Sequence, residues 1–409
     1  MIDLHGLCTI RAILLDGGAK MVPYFLTFFA SCVFCYLGEK SLKSTITIHQ
    51  KPLLAHGAFV LRKSTVFFSY SVLLVAALAG ARGYTVGTDI KTYGNDFYYY
   101  AKTVSYSTLI KTLPQIEPLY LALVKISSLI STTPHFLYFL NGLLVYSFMM
   151  AGFVYYEKYL SITFSWFGFL CLLYGDTYNA MRQCIAIAIC FWAFHYVEER
   201  KYIRFALWII IAFNFHNTAI ILVFIAFAYI LLKKNNTPLI KITIAAVIIL
   251  ALLEYNTILT FLIQYGLLDL KMTKYFISGR APISIPALLI RLPFLILIFI
   301  QYNDFKSGFS QTEEVQALES DSFSDFLVLM LLFELFTVEM SALVATLYRI
   351  SLYAVPFRCI SYARLFSIGK KNKKMYFVLL IVYLALIFVY QNCIKGNNEI
   401  YPYVFGLFE

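Results

Sequence analysis

The sequence predicts an all-α polytopic membrane protein, and three observations carry that expectation. Of 409 residues, 61% are hydrophobic and only 13% charged, against about 25% charged in globular chains. The hydrophobic residues gather into serial runs close to membrane-spanning length. Those runs are continuous, which excludes the roughly ten-residue alternating strands of a membrane β-barrel.

The elements follow in order. Residues 1–20 are mixed polar and apolar with no cleavable signal, and Met21 opens the first run, 21–37, so translation starts at Met1 or at Met21. Further runs lie at 65–81, 134–153, 160–175, 180–197, 204–215 and 218–232. The last lie at 239–253, 284–302, 325–345, 350–366 and 375–391. Segment 118–131 is apolar but about 14 residues long, the length of a re-entrant or interfacial helix.

If 118–131 does not cross, the loops 38–64, 154–159, 198–203, 233–238, 303–324 and 367–374 share one side. That side holds the larger share of Lys and Arg, including Arg200, Lys201, Lys233, Lys234, Lys370, Lys371, Lys373 and Lys374. The positive-inside rule then gives about 12 crossings with both termini outside the cytoplasm. One membrane domain, 1–409, results, with long outer segments at 82–133 and 254–283. Lys271, Lys274 and Arg280 in the second segment run against the trend.

The net charge of +11 does not indicate nucleic acid, because the basic residues are scattered through short loops. Such loops reflect the positive-inside bias or contact with anionic lipid. Most of the eight cysteines, such as Cys32, Cys171, Cys184 and Cys190, lie inside apolar runs and act as small core hydrophobes. Cys32 and Cys35 form a C-x-x-C within a span, with no βαβ pattern to make it a redox motif.

This topology gathers the unusual polar residues on the outer face. Arg82-Gly-Tyr-Thr-Val-Gly-Thr-Asp89 emerges directly from an apolar run, with Asp96 and Glu117 after it. Charges at a membrane boundary are functional candidates by default. Asp176-Thr-Tyr-Asn179-Ala-Met-Arg182-Gln183 forms the entry to a later run, where Asn179, Arg182, Gln183 and Ala186 predict one polar helical stripe. Asn214-Phe-His216-Asn217 is a tight turn, Tyr348-Arg349 links two late runs, and Arg291 and Glu339 lie in the outer halves of theirs.

Arginines near a helix N-terminus suit phosphate or pyrophosphate, since the guanidinium fork matches its oxygens. Each element also has a plainer reading. Arg182 can serve as an ion-pair partner for Asp176 or Glu117, His216 as a turn cap, and Glu117 as a helix-start acid. Glu334 and Glu339 can pair with Arg291 or Arg349 for packing. No tight carboxylate cluster indicates a metal.

Several signatures recur in a fixed order: Arg82, then Gly87-Thr88-Asp89 with Tyr93 four residues on, then Glu117-Pro118. Asn179-x-x-Arg182-Gln183-x-Ile185-Ala186, Phe215-His216, the Arg349 to Tyr353 spacing and Pro402-Tyr403 follow. From about Ser71 onward, this ordered set resembles the EpsG family of exopolysaccharide polymerases. Asn217 stands where that family more usually has Ser, and Leu119-Tyr120 replaces the commoner Gly-Phe.

The resemblance implies a Wzy-type polymerase of a capsule, O-antigen or exopolysaccharide pathway, with a GT-C-like glycosyltransferase architecture. It would move the growing glycan from undecaprenyl pyrophosphate to the terminal sugar hydroxyl of a new lipid-linked repeat. Its implied setting is the outer face of a bacterial plasma (inner) membrane. Its partners are then the undecaprenyl-pyrophosphate-linked oligosaccharide, the bilayer and a chain-length regulator protein, with no nucleic acid.

Such transfer needs charge stabilisation on the leaving group and a base for the acceptor hydroxyl. Arg182 and Arg349 are the candidates for the pyrophosphate, with Arg82 and Arg291 in support. Asp89 and His216 are both base candidates; Glu117, Asn179, Gln183 and Tyr353 support them. Neither cofactor nor metal is expected. Two other classes compete: a lipid-linked oligosaccharide flippase, which would line a path open to both sides, and a membrane acyltransferase using His195.

Overall fold

The computed structural model describes residues 18–47, 62–157, 160–234, 237–254, 284–307, 314–341, 345–368 and 373–406, with scattered positions between 257 and 265. The segment before Gly18 and nearly all of 254–283 lie outside the described residues. Every described run of regular structure is helical, and one isolated bridge, Arg82 with Phe405, supplies the β pairing.

Five described helical stretches are long and apolar enough to cross a membrane: Lys20–Leu42, Lys63–Gly80, His135–Tyr155, Asn217–Lys234 and Phe377–Ile394. Lys63–Gly80, at 18 residues, spans about 27 Å, close to the ~30 Å hydrocarbon core. Shorter apolar helices include Pro118–Ile130, Ile162–Leu172 and Tyr202–Phe213. The protein is a multi-pass membrane protein built from helices.

The chain forms two compact units, Met1–Ala219 with Lys374–Glu409, and Ile220–Lys373. In the first unit, the helices Gly18–Thr47, Lys63–Gly80, His135–Tyr155 and Met181–Ala193 pack in succession. Small residues set the spacing. A Cβ on Gly142 would meet the Ala79 Cβ at 3.2 Å and the Ala76 backbone at 3.5 Å, so the two central helices approach through Ala and Gly, as membrane helices do.

Several buried polar groups inside this bundle are matched. The Trp166 indole donates to Ser31 Oγ at 2.8 Å, and Ser31 donates to the Ser71 carbonyl at 2.8 Å. Glu39 is buried, yet it accepts from the Thr163 amide at 2.9 Å and the Thr163 hydroxyl at 2.7 Å. Its carboxylate therefore satisfies an orphan donor in the first turn of Ile162–Leu172.

Segment 82–133 builds its own layer from Phe97–Thr103, Tyr106–Thr112 and Pro118–Ile130. Lys125 sits inside the apolar Pro118–Ile130 helix for a structural reason. Its ammonium donates to the Ala101 carbonyl at 2.7 Å and the Val104 carbonyl at 2.8 Å, satisfying the last carbonyls of Phe97–Thr103.

The second unit assembles around the long helix Glu314–Met340. Run 284–302 divides into Ile285–Leu289 and Leu292–Ile300, with Arg291 at the break. Pro293 explains the division, because it has no amide to donate and sits in the first turn of the second piece. Buried Asp325 pairs with Lys241 at 2.6 Å and accepts from the Tyr302 hydroxyl. All three side chains border a cavity of about 330 Å³ with largely aliphatic walls.

Candidate functional site

The first unit draws five distant stretches to one place. Lys63–Gly80 ends at Gly80, Ala81 keeps helical φ and ψ as its C-cap, and Arg82 then bridges to Phe405 in the C-terminal tail. The Gly83 amide donates to the Val404 carbonyl at 2.8 Å, and the Gly406 amide to the Ala81 carbonyl at 2.9 Å. Gly87 donates to the Glu399 carbonyl at 2.9 Å with φ +110°. A Cβ there would sit 2.7 Å from the Tyr178 carbonyl oxygen, so only glycine fits.

Arg82 is 2% exposed. Its guanidinium lies over the rings of Tyr178 and Tyr138, at 4.1 Å and 4.7 Å, and its Nη2 donates to Met181 Sδ at 3.7 Å. Two ring faces hold the cation where water does not reach. Asp89 accepts from the Met181 amide at 3.2 Å. Met181 is the first residue of Met181–Ala193, so Asp89 caps that helix from elsewhere in the chain.

The expected stripe of Asn179, Arg182, Gln183 and Ala186 is not continuous. Ala180 has φ −101°, ψ 54° and divides a short turn, Asp176–Asn179, from the helix that follows. Asn179 consequently faces the tail, donating to Asn398 Oδ1 at 3.0 Å, while Gln183 is buried. Periodicity fails here because the helix begins one residue before Arg182, at a start fixed by Asp89.

Arg182 turns to Glu117, with its Nη1 on Oε2, and its guanidinium lies 4.4 Å from the Tyr93 ring centroid. The other oxygen of Glu117 accepts from the Asn217 amide at 3.2 Å and stands 3.5 Å from His216 Nδ1. The Leu119 amide donates to the Asn214 carbonyl at 3.1 Å, so the start of Pro118–Ile130 and the His216 turn are joined twice. The three side chains are 12%, 12% and 11% exposed for Arg182, Glu117 and His216. They are desolvated enough to strengthen their charges and open enough to meet a ligand.

His216 Nδ1 also lies 3.2 Å from Asn217 Oδ1, and the Thr218 amide is 3.5 Å away. Nδ1 thus faces two oxygens and one amide N–H, and a proton on Nδ1 would leave Nε2 the basic nitrogen.

With this geometry in view, the family comparison is decisive: the EpsG family matches residues 65–405. The chain belongs to the EpsG family. No curated protein and no solved structure shows a significant match. Membership puts this EpsG protein in the context of polysaccharide biosynthesis.

Other expected residues of the EpsG chain fall in its second unit. Arg291 donates through Nε to Glu334 Oε1 at 2.9 Å, and Arg358 donates to the same oxygen at 2.6 Å, all three buried. Glu339 accepts from the Ser284 amide at 2.8 Å. Arg349 is exposed on Ala345–Ser351, and Tyr353 is buried just beyond it. Sequence reasoning passed over Arg358, although an arginine inside apolar run 350–366 is a signal in itself. His195, the acyltransferase candidate, is buried in the first unit among Trp192, Tyr155 and Tyr196, its Nδ1 2.5 Å from the Trp192 carbonyl.

Proposed function

We propose that this EpsG-family protein is a Wzy-type polysaccharide polymerase, a GT-C-like glycosyltransferase with about 12 crossings and an interfacial Pro118–Ile130 helix. The single observation that carries the reading is the Arg182–Glu117–His216 cluster, an anion ligand and a base held on one carboxylate. Its donor is a glycan on undecaprenyl pyrophosphate, and its acceptor is the terminal sugar hydroxyl of a new lipid-linked repeat. The reaction takes place on the outer face of the bacterial plasma membrane, where a chain-length regulator acts beside it.

In the reaction, the acceptor oxygen forms a bond to the anomeric carbon as the bond from that carbon to the pyrophosphate oxygen breaks. His216 Nε2 takes the acceptor proton, and Glu117 stabilises the imidazolium that forms. Arg182 neutralises charge on the departing pyrophosphate. Asp89 accepts the Met181 amide and so acts by positioning Arg182, which favours His216 as the base. Arg82 holds the same helix start through Met181.

The test is Arg182→Ala in a strain making the polymer. A protein that stays folded while single repeats accumulate on the lipid carrier is the expected result, and polymer of normal length would sink the reading. Arg349→Ala and Arg291→Ala extend the test, and the reading expects less polymer from each. Complete absence of lipid-linked repeats from the outer face would instead favour a flippase.

A further inference from the structure

Beside Arg182 lies a surface that the transfer chemistry does not use. Tyr93 carries the Arg182 guanidinium 4.4 Å from its ring centroid. Phe97 meets Tyr93 edge-to-face at 5.3 Å. Tyr100 follows at the next helical position, its hydroxyl donating to Thr112 Oγ1 at 3.2 Å. All three rings are half-buried, whereas Tyr98 and Ala101 on the same helix are buried. Phe97–Thr103 packs on Pro118–Ile130, so its buried pair faces the protein and Tyr93, Phe97 and Tyr100 remain accessible. Thr92 and Asp96 are exposed beside them.

Half-buried aromatic faces edged by hydroxyl and carboxylate groups match the chemistry of a pyranose. The C–H bonds on one sugar face stack against the negative face of a ring, while the ring hydroxyls meet the polar edge. We propose that Tyr93, Phe97 and Tyr100 form a glycan subsite that holds the sugar chain where it leaves Arg182. From residue 93 to 100 the stripe advances about 10 Å, enough to hold more than the reacting sugar. This assignment rests on the polymerase reading and adds a residue-level basis for how firmly the chain is kept between transfers. Tyrosines also anchor helices at a membrane interface, and that is the competing outcome.

The test uses the full chain in nanodiscs and the strain that carries it. The probe is a set of oligosaccharides released by mild acid from the strain's own surface polymer. Phe97→Ala with Tyr100→Ala is expected to weaken oligosaccharide binding at least ten-fold and to shift the surface polymer to short chains, while single repeats are still joined. Phe97→Trp with Tyr100→Phe, which keeps both ring faces, is expected to restore both readouts. Unchanged affinity and chain length in the alanine variant would overturn the subsite and leave the tyrosines as interface anchors. Losses that the ring-keeping variant fails to rescue would also overturn it. Arg182→Ala in parallel separates the two ideas: normal polymer there defeats the polymerase reading, and the oligosaccharide titration still decides the subsite.

Discussion

Glu117 shows how one side chain can carry several constraints at once. One oxygen holds Arg182, and the other accepts the Asn217 amide and faces His216. Glu117→Gln keeps an oxygen for the amide but removes the charge that holds Arg182 and would stabilise a protonated His216. The protein should remain folded, with a loss of about 1–3 kcal/mol in thermal melts, while polymer yield falls on the order of 100-fold. Wild-type chain lengthening in that variant would contradict the role given to the carboxylate. Glu334 carries a different burden, since its one oxygen serves two buried arginines. Glu334→Ala should cost about 3–5 kcal/mol, because it strands two guanidiniums away from water; a variant melting with the parent would refute the pairing.

At the scale of elements, the decisive feature is where Met181–Ala193 begins. Its cap comes from Asp89, and Asn is as good a cap as Asp. Asp89→Asn should therefore keep stability within about 0.5 kcal/mol and retain polymer synthesis, whereas Asp89→Ala should lose about 1 kcal/mol. Inactive but stable Asp89→Asn protein would make Asp89 the base instead. Gly87→Ala should destabilise by about 1–3 kcal/mol, from a strained φ and a clash with the Tyr178 carbonyl.

These features also mark what a sequence can disclose. The apolar runs announce their helices because burial in lipid demands unbroken hydrophobicity. The break at Ala180 does not announce itself, because the oxygen that caps the new start is far away in the chain. Glu117 was visible as an acid before a proline, but its two partners are set by tertiary packing. The Glu198-Glu199-Arg200-Lys201 turn is local by contrast. Lys201 bonds Glu199 at 2.7 Å and holds that carboxyl below its ordinary range. The small stabilisation is present at neutral pH and fades as pH falls through the lowered value.

For the whole molecule, topology is the property that sequence patterning addresses and that cysteine mapping can check. The native cysteines among the described residues are buried or half-buried, and Cys8 is changed to Ser so that it adds no background. Thr108→Cys should react with a membrane-impermeant maleimide on intact cells, and Glu199→Cys only after permeabilisation. Labelling of both from outside would mean that Pro118–Ile130 crosses the bilayer, which would move the Glu199 turn to the outer face. The pairing of residues 399–406 with residues 81–87 has a consequence for biogenesis. A membrane chain enters the bilayer in order, so the segment that carries Arg82 and Asp89 waits for a partner made long after it. Until that tail arrives from the ribosome, the cap on Met181 lacks its scaffold, and a half-inserted chain holds the Arg82 to Asp89 segment unfinished.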